Sequence, residues 1–230
     1  MTATVSLENK FLLGYKNKFV QTAYPIFIFQ INDFESLKNR IVERADLIEG
    51  QLEFGLNFKA KDGETGVGGI TRTHDMFNFF DLPGLEDLQL LLKESCKIYF
   101  NEVFDDDSPL MQKCWVNKLA PFKYMNMHTH IPDFLESEHN HAAVHLSIKS
   151  NPENCTVYVP TSNTLYQEVG RDRSFFQKNI EGRVTVFPGT LLHYTTPNIS
   201  SEYRYSLAMD VVGSYGSDLN TFENNSMRAF

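Results

Sequence analysis

The sequence predicts a mainly β protein with flanking helices, an α+β arrangement around an antiparallel sandwich or barrel of the jelly-roll type. From about Cys114 onward, short apolar runs of strand length ("CWVNKLA", "AAVHLSIKS", "CTVYVP", "RVTVFPG", "YRYSLAMDVV") are separated by turn residues. The helical patterns lie ahead of them. No Gly-rich phosphate or dinucleotide turn occurs, and the strand–helix alternation of a doubly wound sheet is missing.

The elements follow in order. "AYPIFIFQI" (23 to 31) is an apolar, aromatic run of strand length, and "NDFESLKNRIVERADLIEG" opens on Asn32 and Asp33, which are expected to cap a helix carrying Leu37, Ile41 and Val42 at helical spacing. In "PGLEDLQLLLKESCKIYFNEVF", Leu85, Leu88, Leu92, Tyr99 and Val103 share one helical face, and "DDDSP" ends that helix. There is no internal repeat and no Gly/Ser-rich linker. The expected organisation is one domain over 1–230, with an α/β lead-in (1–110) packed on a β-half (111–215) that holds the functional residues.

Composition excludes several classes. Hydrophobic residues at 42% with 19 phenylalanines require a packed core, and a net charge of -8 argues against general binding to a nucleic-acid backbone. Charged residues interrupt every apolar run in "MTATVSLENKFLLGYKNKF", and no run of about 18 apolar residues exists to span a bilayer. A cytoplasmic protein without membrane contact is expected. Cys96, Cys114 and Cys155 fit neither a disulfide framework nor a CxxC zinc site and are expected to be reduced and structural.

Six of the seven histidines fall in the β-half: His128, His130, His139, His141, His145 and His193. On a strand, residues i and i+2 share a face, so either His128/His130 or His139/His141 presents two imidazoles to one ion. Such a pair alone is more often a surface or hydrogen-bonded feature than a metal site. It gains meaning from "FPGTLLHYTTPNISSEYRYSLAMD", where His193 is followed eleven residues later by Arg204, with Ser206 two beyond it. Arg204 and Ser206 face one side of a strand whose other side carries Tyr203, Tyr205 and Leu207. An arginine turned into an apolar barrel is costly unless it meets an anion, and a carboxylate held by the guanidinium fork beside a serine hydroxyl would meet that need.

With these residues in view, "HTH" (128 to 130), "FPGTLLH" (187 to 193), "PNISSEYRYSLAMD" (197 to 210) and "CWVNKLAPFKYMNMHTH" resemble the iron(II)- and 2-oxoglutarate-dependent oxygenases, in a branch with a His-x-His proximal motif. The resemblance covers residues 114 to 210. It implies a double-stranded β-helix, or cupin-like jelly roll, holding Fe(II) and 2-oxoglutarate, with O2 and a small molecule or amino-acid side chain as the species to be joined by hydroxylation. Residue by residue it assigns the metal to His128, His130 and His193 and the cosubstrate to Arg204 and Ser206, with Tyr124, Asn117 and Tyr158 as further hydrogen-bond candidates.

His130 stands where the wider superfamily has Asp or Glu. Either it is the third ligand, or Asp133 reaches the metal from the bend after Pro132, or Glu136 or Glu138 does. Two other readings accompany this one: a three-histidine dioxygenase that does not use 2-oxoglutarate, and a noncatalytic barrel that binds metal or ligand. His139 and His141 are expected at the surface or behind the ligands.

Overall fold

The computed structural model describes residues 3–16, 21–55, 78–130, 139–160, 174–213 and 227–230. Its strands are β1 (Thr4–Lys16), β2 (Gln21–Asn32), β3 (Leu110–Leu119), β4 (His141–Lys149), β5 (Cys155–Val159), β6 (Phe175–Lys178), β7 (Arg183–Pro188), β8 (Leu192–Thr195), β9 (Arg204–Gly213) and β10 (Arg228–Ala229). Helices α1 (Glu35–Gly55) and α2 (Glu86–Phe104) come before β3, as the sequence predicts. A seven-stranded sheet runs in the order β1-β2-β7-β4-β9-β3-β10, and a three-stranded sheet in the order β6-β5-β8. Every pairing among the described strands is antiparallel.

The large sheet has two unlike faces, set by the side-chain period of two. Phe27 and Phe29 of β2, Val184 and Val186 of β7, Val144 and Leu146 of β4, and Leu207 and Met209 of β9 join Leu37, Ile41, Leu88, Leu92 and Tyr99 of the helices in one core. Full burial of each such aliphatic side chain contributes about 1.5–3 kcal/mol. The opposite face looks toward the small sheet. On it the β9 register sets Ser206 beside Asn117 of β3 and Ser147 of β4, then Ala208 beside Trp115 and His145, then Asp210 beside Lys113 and Ala143. Helices therefore hold one side of the sheet rigid while its polar side lines an interior.

Two local expectations change. Asn32 and Asp33 do not cap α1: β2 runs through Asn32, whose amide donates to Thr4 Oγ1 (3.3 Å), and Asp33 takes a left-handed turn (φ 53°). Asp tolerates that conformation better than most residues, so its use here is to reverse the chain. The helix instead opens on the Phe34 carbonyl, which accepts from Lys38 N–H (2.8 Å). The segment before residue 17, unassigned from sequence, is the edge strand β1. The charges that interrupt its pattern suit an exposed edge, where they hinder pairing with another chain. At the end of α2, Asp105 in the left-handed region donates its N–H to the Asn101 carbonyl, which is how "DDDSP" closes the helix.

Candidate functional site

Residues 125 to 130 run beside β8 without forming a regular strand. Thr195 N–H donates to Met125 O (3.2 Å), His128 and His193 exchange backbone hydrogen bonds (3.0 Å each), and His130 N–H donates to Gly189 O (2.8 Å). This pairing puts the His128 and His193 rings side by side, centroids 4.3 Å apart. His130 follows at 5.2 and 5.0 Å from them. One ligand nitrogen from each of the three rings lies within 4.8 Å of the others.

The second nitrogen of each ring determines what the first can do. His128 Nδ1 lies 2.7 Å from Asn126 O, His193 Nδ1 lies 3.0 Å from Leu191 O, and His130 Nδ1 lies 2.8 Å from Asp210 Oδ1. All three partners are acceptors, so each Nδ1 carries the proton and each Nε2 presents a lone pair. Burial, reinforced by neighbouring His130, pulls His128 down to about 4 and holds His193 well below the ordinary histidine range, so both are neutral near pH 7. Three imidazoles turned toward one point suit zinc, iron, copper or nickel. Trp115 stacks on His130 at 5.5 Å, and Phe187 packs edge-on against His193 at 4.9 Å.

The other end of the interior is cationic. Arg204 is 1% exposed, and among the described residues none of its three guanidinium nitrogens has a hydrogen-bond partner. Burial lowers it to about 10, which still leaves it charged. Around it, Asn117 Oδ1, Ser147 Oγ and both nitrogens of His145 are buried without partners among the described residues, and Ser206 is buried on the same face of β9. The Tyr158 hydroxyl feels Thr185 but makes no hydrogen bond of ordinary geometry. Buried polar groups are seldom left unpaired, and so many on one surface describe a ligand cradle. A charged guanidinium with orphan donors fits a carboxylate.

No protein-family model and no curated protein sequence matches the chain, whereas solved structures do. SnoK, a non-heme alpha-ketoglutarate-dependent carbocyclase from nogalamycin biosynthesis, superposes with a TM-score of 0.53 at 16% identity, covering 85% of each chain. A prolyl hydroxylase from Trichoplax adhaerens gives 0.52 at 14% identity over 87% of this chain and 85% of that one. EvdO2 from Micromonospora carbonacea, in complex with 2-oxoglutarate, gives 0.51 at 11% identity over 82% and 86%. The chain has the fold of the 2-oxoglutarate- and iron(II)-dependent oxygenases.

Within that oxygenase fold, four sequence candidates, His130, His193, Arg204 and Ser206, are buried and face the interior, and His128 lies half-buried at its edge. Asn117 and Tyr158 join them. Tyr124 is different: it is 47% exposed on the segment that leads to His128. Asp133, Glu136 and Glu138 lie outside the described residues. His145, Ser147 and Asp210 are interior residues that sequence reasoning did not select. The signal for Asp210 was its even spacing from Arg204 along β9, and for His145 and Ser147 the matching parity on β4. His141 also faces inward, with Nε2 at 3.6 Å from Asp210, but among the described residues it does not join the three-histidine cluster.

Gly189 is the turn that makes this packing feasible in the oxygenase fold. A Cβ there would collide with the His141 ring and with the His130 carbonyl. Gly189→Ala is therefore expected to displace His130 and weaken metal uptake at least tenfold while the helix-backed core keeps the protein folded. Metal titration alongside circular dichroism checks this.

Proposed function

We propose that the protein is a 2-oxoglutarate- and iron(II)-dependent oxygenase with His128, His130 and His193 as its metal face, hydroxylating a small molecule or an amino-acid side chain. The observation that carries this reading is the buried, unpartnered Arg204 guanidinium in the same interior as three converging Nε2 atoms. The donor set fits ferrous iron, and the guanidinium fits the distal carboxylate of 2-oxoglutarate. Bound together, iron(II) and 2-oxoglutarate would activate O2, the oxidant, with 2-oxoglutarate itself oxidised to succinate and CO2.

The chain's own residues bind, orient and exclude water. Arg204 and Ser206 anchor the distal carboxylate, with Asn117, Ser147 and Tyr158 offering hydrogen bonds along the way. His145, neutral because burial first and then Arg204 and His130 hold it at about 3, offers both a donor and an acceptor between the anchor and the histidines. Trp115 covers His130 and Phe187 covers His193, leaving His128 half-buried at the edge. The domain reading of one oxygenase unit over 1–230 belongs to the same proposal.

A three-histidine enzyme that dispenses with 2-oxoglutarate leaves Arg204 without a purpose, so the cosubstrate reading is preferred. The direct test supplies Fe(II), 2-oxoglutarate, ascorbate and O2 and measures succinate. Turnover, uncoupled or with a substrate panel, is expected from the parent protein, and His193→Ala is expected to bring it to background. Purified protein that takes up neither Fe(II) nor 2-oxoglutarate would overturn the proposal.

A further inference from the structure

The three histidines are alike toward the metal and unlike behind it. His128 and His193 donate their Nδ1 protons to backbone carbonyls, which carry no net charge. His130 donates to a carboxylate, Asp210 Oδ1, at 2.8 Å. Asp210 is 9% exposed, and its ion-pair partners among the described residues are His130 and, at 3.6 Å, His141. Lys113 stands opposite it in the β3 register, yet no lysine or arginine among the described residues pairs with it.

Charge balance gives this placement its meaning. A divalent ion on three neutral imidazoles, with the Arg204 guanidinium in the same interior, leaves that interior strongly positive. A buried carboxylate on a ligand's far nitrogen makes the ring a better donor and fixes its orientation. We propose that Asp210 is a positioning residue that delivers negative charge to the metal through His130, in place of a carboxylate bound to the metal itself. His141, wedged against Gly189, brings its Nε2 to 3.6 Å from the same carboxylate oxygen, too far for a hydrogen bond, so His130 is the ring that Asp210 engages directly. The inference rests on the three-histidine metal reading.

The test measures Co(II) and Zn(II) affinity at pH 7.5 by chelator competition for the parent, Asp210→Asn, His130→Ala and the double variant. Asn keeps the shape and an acceptor oxygen but removes the charge. Asp210→Asn is expected to lose about 10–100-fold in affinity, and to shift the visible ligand-field bands of the Co(II)-saturated protein, which a mere loss of stability does not do. In the His130→Ala background the same substitution is expected to change affinity by less than twofold. Full affinity in Asp210→Asn, or an undiminished loss when His130 is already absent, overturns the inference while the metal reading stands. No metal uptake by the parent overturns both.

A measurement on the unsubstituted protein covers the case in which Asp210→Asn does not fold. In the Zn(II)-loaded form, nitrogen-15 spectra of the histidine side chains should show three rings bound through Nε2, with one Nδ1 proton shifted furthest downfield by its carboxylate acceptor. Three equivalent Nδ1 protons would count against the role given to Asp210.

Discussion

Arg204→Met is expected to abolish 2-oxoglutarate binding while leaving the unliganded protein as stable as the parent, or more stable. The two halves of this result come from one fact. A buried guanidinium with no partner is an uncompensated charge, and exchanging buried charge for an apolar side chain of similar volume is often neutral or stabilising by about 1–4 kcal/mol. Once a carboxylate arrives, the same guanidinium forms charge-assisted hydrogen bonds in a dry site, and removing one partner of such a pair costs about 3–5 kcal/mol, or roughly 100- to 1,000-fold and more in affinity. Calorimetry with 2-oxoglutarate and thermal unfolding with and without it check both halves. A lower melting temperature for unliganded Arg204→Met would show that the guanidinium is already satisfied, and undiminished 2-oxoglutarate binding would remove Arg204 from the site.

The second large effect is on acid stability, through His145. Its folded-state value of about 3 lies far below the ordinary value for an unfolded histidine, about 6.5, because burial and then Arg204 and His130 oppose its protonation. A depressed base favours the folded state only while it is neutral. Above pH 6.5 both states are neutral there and nothing is lost. Below it the unfolded chain takes up a proton that the folded chain refuses, costing up to about 1.4 kcal/mol per pH unit until the pH nears 3. Summed over that window the loss is of order several kcal/mol, a large share of a usual stability of about 5–15 kcal/mol. His145→Asn is expected to flatten the fall of melting temperature between pH 6.5 and 4. If parent and variant fall in parallel, His145 is not what makes the fold acid-sensitive.

The sequence exposed those parts of the site that obey strand parity or fixed spacing. His128 and His130, two residues apart, do share a side, and Arg204 with Ser206 does face the interior away from Tyr205 and Leu207. Both principal helices were visible because their apolar faces repeat at helical spacing over many residues. β1 was not, since an edge strand exposed to solvent carries charges where a buried strand would carry valine. Asp210 was hidden for another reason: a carboxylate near the end of an apolar strand acquires its role only from His130, 80 residues away along the chain. Local pattern shows only that Asp210 shares a face of β9 with Arg204; the partner itself is not written in it. Asn32 and Asp33 misled for the converse reason, because residues that favour helix caps also favour tight turns.

The mutual backbone hydrogen bonds of His128 and His193 tie the histidine cluster to the opening of the barrel. If these two side chains hold one ion, the chain cannot peel residues 125 to 130 away from β8 without breaking the coordination, and the ion cannot leave by a route that keeps both ligands in place. Amide exchange at these two positions and metal dissociation then report a single opening event. Bound metal is therefore expected to slow amide exchange at His128 and His193 relative to the metal-free protein.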